Sequence, residues 1–212
     1  MRYKGIVFDL DGVICSTDDY HYLAWKALAD QLGIEFDRQI NNRLRGVSRM
    51  ESLGIVLEKT DKTYSNAEKA QLAEVKNELY RELLGQMSKA DLSGEVRDTL
   101  NALRKKGLKL AIGSSSKNTP FILERIGLSG FFDAVSDGNN IARSKPDPEV
   151  FLKAAAMLGL NPGDCLVVED AHAGVEAAVA GGFDCAAMGD ARDDERATWH
   201  LSRFSDILEA VI

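Results

Sequence analysis

Cysteine is scarce in this 212-residue chain: three residues, Cys15, Cys165 and Cys185, far apart. An odd number with no Cys-x-x-Cys pair excludes a disulfide framework and argues against a zinc site. Cys165 and Cys185 lie in apolar runs and read as core residues, and Cys15 has no histidine beside it in sequence to activate it. Long apolar runs are also missing. None approaches the ~20 residues that a membrane helix needs, so no membrane partner is expected. Basic charge is in deficit, 26 Lys and Arg against 33 Asp and Glu, for a formal net charge of -7. That disfavours nucleic acid, whose binding is driven by basic surface neutralising phosphates. A small phosphate ester needs only a few local cations and stays possible. No internal repeat, low-complexity stretch or signal peptide is visible, and Met1-Arg2-Tyr3-Lys4 runs directly into an apolar segment. A cytoplasmic monomer is the expectation.

What is present is organised around Ile6-Val7-Phe8-Asp9-Leu10-Asp11-Gly12-Val13. In extended backbone, residues two apart face the same side. Asp9 and Asp11 can therefore converge just past a buried strand, where Gly12 lets the chain turn. Two carboxylates there repel unless a proton or a cation separates them.

From Gly94 onward, strand and helix alternate. Glu95 to Lys106 carries Val96, Leu100 and Leu103 on one helical face and stops at Gly107. Leu108–Gly113, Phe132–Ser136, Cys165–Val168 and Phe183–Met188 read as strands. Between them, helices are expected from Pro120 to near Gly127, from Asp147 as cap with Pro148 as first position to Gly159, and over Ala171–Ala180. A short helix over 206–211 closes the chain, after a charged tail, Asp190 to Glu195, that has no readable period. This alternation implies an α/β, Rossmann-like parallel sheet covered by helices on both faces. Ligands bind beyond the carboxyl ends of such strands, where Asp9, Ser114 and Asp170 fall. Residues 17–87 break the pattern. They read as helices near 19–32, 37–43, 50–58 and 65–84, and they are more polar. The expected division is a catalytic core of residues 1–16 and 88–212 with an inserted helical cap of residues 17–87.

Four features fall at consecutive strand ends: Asp9/Asp11, Ser114, Lys145 and Glu169/Asp170. Each alone has a structural explanation as a turn acid, a helix cap or a loop residue. Together they fit phosphoryl transfer. Asp9, Glu169 and Asp170 offer hard oxygen ligands to Mg²⁺. Ser114 can hold phosphate oxygens and Lys145 can neutralise charge on the transferred group. Asp9 can act as nucleophile, and Asp11 can give and take a proton.

With Phe8-Asp9-Leu10-Asp11-Gly12-Val13, Ser114, Lys145-Pro146-Asp147-Pro148 and Glu169-Asp170 in order, the chain resembles the haloacid dehalogenase superfamily. The resemblance implies a Rossmann-like core of that type with a helical cap that opens and closes. Asp11 matches its Mg²⁺-dependent phosphotransferases rather than its dehalogenases. A finer resemblance, through Thr17 to His21, Ala24 to Ala29, Gly46-Val47-Ser48-Arg49, Ser52-Leu53, Lys76-Asn77 and Ser116-Lys117-Asn118, is to the mutases of that superfamily. It implies an isomerase that interconverts β-D-glucose 1-phosphate and glucose 6-phosphate through an aspartyl-phosphate and β-glucose 1,6-bisphosphate. It further implies that Asp9, the Asp11 carbonyl, Glu169 and Asp170 hold Mg²⁺. Arg49, Ser116, Lys117 and Asn118 would hold the distal phosphate. Gly46, Val47, Ser48, Ser52, Lys76, His21 and Trp25 would line the sugar pocket, with Thr17 in the hinge. Two departures stand out: Cys15-Ser16 beside the hinge, and Ser115 where alanine is commoner. Trp25 as core and Arg49 and Lys76 as solvated surface are the competing readings of the cap residues. His172 and His200 carry no motif. A phosphatase for small sugar phosphates is the first alternative activity, and a Mg²⁺-dependent phosphorylatable switch is the second.

Overall fold

The computed structural model describes residues 2–45 and 47–212; Met1 and Gly46 lie outside the described residues. The chain begins with β1 (Gly5–Phe8), a run of β-branched and aromatic side chains suited to a strand buried on both faces. After the polar helical segment come β2 (Lys109–Gly113), β3 (Ala134–Ser136), β4 (Cys165–Glu169), β5 (Asp184–Ala187) and β6 (Trp199–His200). Among the described residues these form one parallel sheet in the order β3-β2-β1-β4-β5-β6.

The pleat sorts side chains onto two faces. Val7 aligns with Ala111 and Val167, and these pack on one side beneath α7 (Glu149–Leu158) and α8 (His172–Ala180). Ile6 and Phe8 point the other way with Leu110, Ile112, Leu166 and Val168. That face is covered by α5 (Gly94–Lys105), α6 (Thr119–Arg125) and α9 (Ile207–Ala210). Phe8 is fully buried there, and burying such a side chain contributes about 1.5–3 kcal/mol. The chain winds from β1 to β2 and β3 on one side and to β4, β5 and β6 on the other. The reversal therefore falls between β1 and β4, where open parallel sheets form their ligand crevice.

Between β1 and α5 run α1 (Asp18–Leu32), α2 (Arg38–Asn42), α3 (Arg49–Leu57) and α4 (Asn66–Leu84). Reciprocal caps start α3 (Ser48 with Glu51) and α4 (Ser65 with Glu68), each satisfying two backbone N–H groups. Trp25, Leu28, Ile40, Leu53, Val56 and Ala73 form a separate apolar cluster among these helices. Tyr80 and Leu84 on α4 and Ala24 on α1 instead join the cluster on the sheet.

Two expectations shift. The helix expected from Asp147 as cap and Pro148 as first position begins one residue later: Pro148 occupies the cap and α7 starts at Glu149. Asp147 still serves that end, since its Oδ1 accepts from Glu149 N at 3.0 Å. Beyond the charged stretch Asp190 to Glu195, the tail supplies β6, a two-residue edge strand aligned on Ala186 and Ala187. No described helix is long and apolar enough to cross a membrane.

Candidate active site

In the parallel register, Phe8 of β1 stands beside Ile112 of β2 and Val168 of β4, so the next residues of these strands emerge together at one edge. Asp9, Ser114, Glu169 and Asp170 are buried there, and Lys145 reaches in from the loop before α7 with 1% exposure. Lys145 Nζ donates to Asp9 Oδ1 and Glu169 Oε1, both at 2.5 Å, and lies 4.7 Å from the centroid of the Phe151 ring. The Glu169 carboxylate is anchored on its other oxygen, Oε2, which accepts from Asp170 N at 2.8 Å and Ala171 N at 2.9 Å. Ser114 Oγ accepts from Ser116 N at 3.2 Å, which leaves its proton to donate.

Two glycines make this packing possible. A Cβ on Gly174 would sit 1.8 Å from Glu169 Oε1. Gly12 has φ +82°, and a Cβ on it would sit 2.0 Å from Asp170 Oδ2. Gly174 lies inside α8, where glycine costs about 0.5–1 kcal/mol relative to alanine. A glycine tolerated inside a helix was the sequence signal for this close approach.

Carboxylate oxygens of Asp9, Glu169 and Asp170 lie within 4.8 Å of one another. Burial pushes Asp170 up to about 8, with the Glu169 and Asp9 charges adding to it. Burial also raises Asp9, to about 7, although Lys145 pulls the other way. Lys145 itself is disfavoured by burial but held charged by the two carboxylates it bridges. One lysine thus faces three crowded acids. The donor set is three hard oxygens whose repulsion a divalent cation relieves, and it fits Mg²⁺.

Asp11 turns the other way. Its Oδ1 accepts from the Thr17 hydroxyl, and Tyr80 Oη lies 3.1 Å from Thr17 Oγ1. Burial raises the Asp11 carboxyl above its usual range, opposed by the Thr17 bond. Lys76 Nζ lies 2.9 Å from His21 Nδ1 and over the Trp25 and Tyr80 rings, at 4.8 and 4.4 Å. Burial, with Lys76 and Arg49 nearby, holds His21 well below its ordinary value and therefore neutral. Burial, reinforced by Arg49, likewise lowers Lys76.

These groups open onto one cavity of about 680 Å³ between the strand ends and the helical segment. That size lies within the range of small-molecule pockets. Its wall includes Asp9, Asp11, Ser114, Lys145, Glu169 and Asp170, together with Arg49, Ser115, Ser116, Lys117 and Asn118. His21, Trp25, Ser52 and Lys76 on the helices, and Val47 and Ser48 in the loop before α3, also line it. Of the residues singled out from sequence, Gly46 lies outside the described residues. Thr17 is fully buried and stands behind the wall rather than on it. Ser48 Oγ is engaged as the α3 cap, accepting from Glu51 N at 3.3 Å. Trp25, 2% exposed, is both core and wall. Cys15 is buried and is not part of the wall, and burial pushes its thiol far up.

Sequence reasoning passed over several lining residues. Arg45 pairs with Asp18 and Asp190 and lies 3.8 Å from Asp170, which ties the α2–α3 loop to the sheet end. Asn77 Oδ1 accepts from Asn118 Nδ2 at 3.0 Å, a second tie across the cavity. Glu74 pairs with Arg49 at 3.3 Å. Only Asn77, adjacent to Lys76, carried any sequence signal.

A sequence model of the haloacid dehalogenase-like hydrolases matches residues 3–182. The β-phosphoglucomutase of Bacillus subtilis is 43% identical over 188 residues, 88% of this chain and 83% of that protein. The fructose-1-phosphate phosphatase YqaB of Escherichia coli is 30% identical over 184 residues, 86% of this chain and 95% of that one. Among solved structures, β-phosphoglucomutase from Clostridium difficile superposes with a TM-score of 0.92 at 34% identity, covering 99% of this chain and 95% of that one.

Proposed function

This chain belongs to the haloacid dehalogenase-like hydrolase family, and from that premise we propose that it is a Mg²⁺-dependent mutase interconverting β-D-glucose 1-phosphate and glucose 6-phosphate. The observation that supports the reading is one cavity lined by cations besides the lysine at the strand ends. Lys145 is bonded to Asp9, and Ser114 shares the cavity wall with them. Arg49 and Lys117, with Ser116 and Asn118, line the same cavity and would grip a second phosphate. A phosphatase needs only one anion site. A mutase must grip both phosphates of a bisphosphate while excluding water.

In this reading Asp9 enters the cycle already phosphorylated by a trace of β-glucose 1,6-bisphosphate. The phosphoryl group passes from Asp9 to the 6-hydroxyl of β-glucose 1-phosphate: the bond from phosphorus to the Asp9 oxygen breaks to leave a carboxylate, and Asp11 accepts the hydroxyl proton. The β-glucose 1,6-bisphosphate so formed turns end for end and brings its 1-phosphate beside Asp9. Asp9 then attacks that phosphorus, the bond to the sugar oxygen breaks with its electron pair left on that oxygen, and Asp11 returns the proton to it, which releases glucose 6-phosphate and leaves Asp9 phosphorylated again. Lys145 and Ser114 stabilise charge on the transferring group. Asp9, Glu169, Asp170 and the Asp11 carbonyl would hold Mg²⁺, which would supply further neutralisation of that charge when bound. His21, Trp25, Val47, Ser52 and Lys76 would contact the sugar, and Thr17 would orient Asp11 from behind. Residues 17–87 would form the cap and move against a core of residues 1–16 and 88–212. The Arg45 and Asn77 ties would hold the closed state.

The kinship to a fructose-1-phosphate phosphatase keeps a second reading in view, with water in place of the second hydroxyl. Supplying β-glucose 1-phosphate with a trace of β-glucose 1,6-bisphosphate separates the two. Glucose 6-phosphate is the expected product. Free glucose and inorganic phosphate would favour the phosphatase.

A further inference from the structure

Tyr80 sits on the inner face of α4 with 1% exposure. Its ring is in contact with two cavity-lining groups: the His21 imidazole stacks on it at 4.0 Å, and the Lys76 ammonium lies 4.4 Å from its centroid. Its hydroxyl reaches the other way, 3.1 Å from Thr17 Oγ1, and the Thr17 hydroxyl is bonded to Asp11 Oδ1.

The direction of this chain follows from the donor inventory. An ionised carboxylate only accepts, so the Thr17 proton points at Asp11. The lone pairs of Thr17 Oγ1 are then left for the Tyr80 proton. Thr17 is fully buried, so its hydroxyl does not exchange these partners for bulk water. Burial also pushes the Tyr80 phenol well above its ordinary value, which keeps it a donor at any working pH. Consecutive hydrogen bonds of this kind polarise and stiffen one another.

We propose that Tyr80 is a positioning residue for phosphoryl transfer: through Thr17 it pins Oδ1 of Asp11, leaving Oδ2 as the oxygen that gives and receives the proton. The inference rests on Asp11 being the general acid and base, as read above. A carboxyl group rotates easily about Cβ–Cγ, and a proton donor works only within hydrogen-bond reach of the oxygen it serves. The proton moves from Asp11 Oδ2 to the departing oxygen as the P–O bond to that oxygen breaks and the P–O bond to Asp9 forms. Asp11 is left as a carboxylate, still bonded to Thr17 through Oδ1. A leaving group that is stable as an anion needs no such proton. The contribution of Tyr80 must therefore grow with the basicity of the leaving oxygen. A residue that only fills space would show no such dependence.

The test compares wild type with Tyr80→Phe, which keeps the ring and removes only the hydroxyl. The substrates are p-nitrophenyl phosphate, phenyl phosphate and β-glucose 1-phosphate. The expected result is a kcat about tenfold lower for the two basic leaving groups and less than about twofold lower for p-nitrophenyl phosphate, with KM unchanged. In a Thr17→Val background, Tyr80→Phe should add nothing further, because the chain is already cut. A crystal structure of Tyr80→Phe should show the Asp11 carboxylate turned from its wild-type orientation. A uniform loss across all three substrates, a loss confined to KM, or full additivity with Thr17→Val would overturn the inference. Asp9→Asn separates this failure from failure of the parent reading. If Asp9→Asn still turns over phosphate esters, the parent reading falls. If it is dead while Tyr80→Phe shows no leaving-group dependence, only the role of Tyr80 falls.

Discussion

Replacing Lys145 by Met removes a buried ammonium but keeps an apolar stem against the Phe151 ring, which lies 4.7 Å from the wild-type Nζ. Wild-type Nζ is 2.5 Å from oxygens of both Asp9 and Glu169 and is almost fully buried. At an effective dielectric of about 20, each of these contacts carries a gross attraction of about 6–7 kcal/mol, most of it offset by the cost of desolvating the charges. Breaking a buried pair by deleting one partner costs about 3–5 kcal/mol net, because the surviving charges stay in place uncompensated. For a chain of this size that corresponds to a fall in Tm of roughly 6–20 °C. The loss should depend on pH. With the lysine gone, the Asp9 carboxyl, already raised by burial, is pushed further up and binds a proton more readily folded than unfolded. The penalty is therefore small near pH 5 and large near pH 8. Turnover should fall by about 10²–10³ as well, the usual effect of deleting one stabiliser of transition-state charge. Thermal unfolding of Lys145→Met and wild type at both pH values, without divalent cations, reads the stability term directly. Equal melting temperatures at pH 8, or a deficit independent of pH, would refute the account of this cluster.

The metal-free wild-type protein should itself lose stability as pH rises. Asp9 and Asp170, raised to about 7 and about 8, favour the folded state fully below pH ~4, and this contribution is lost as pH climbs through those values. Mg²⁺ at pH 8 should restore it, and denaturant melts that ignore both pH and Mg²⁺ would contradict the proposed ion site. Arg49→Ala should cost mutase turnover far more than hydrolysis of a small aryl phosphate. Equal losses in paired assays would remove Arg49 from a distal-phosphate role.

Much of the architecture could be read from residues because local and global preferences agree. Leu108 to Gly113 is apolar apart from Lys109 and follows a glycine-stopped helix, and Lys109–Gly113 of it forms β2. The strand-end acids were legible for a related reason. A parallel sheet puts the carboxyl ends of β1 and β4 side by side whatever lies between them in sequence, so Asp9 and Glu169 had to meet. β6 escaped because two residues have no period, and its place comes from pairing with β5. The contacts of Arg45 with Asp190, and of Tyr80 with Thr17, were equally invisible. Each joins segments far apart in sequence whose relative placement is set by tertiary packing, and nothing in a local pattern encodes it. Thr17 shows the intermediate case. Its neighbourhood flagged it, but only the fold shows that its hydroxyl bonds to Asp11 from behind the wall.

The claim on which everything else depends is that residue 9 carries the phosphoryl group. A single turnover with ³²P-labelled β-glucose 1,6-bisphosphate in the presence of Mg²⁺, quenched in acid and digested, should place an acid-stable, base-labile label on the peptide containing Asp9. The same experiment on Asp9→Asn should give no label. Label on another peptide, or turnover with no protein-bound phosphate at any time point, would contradict it.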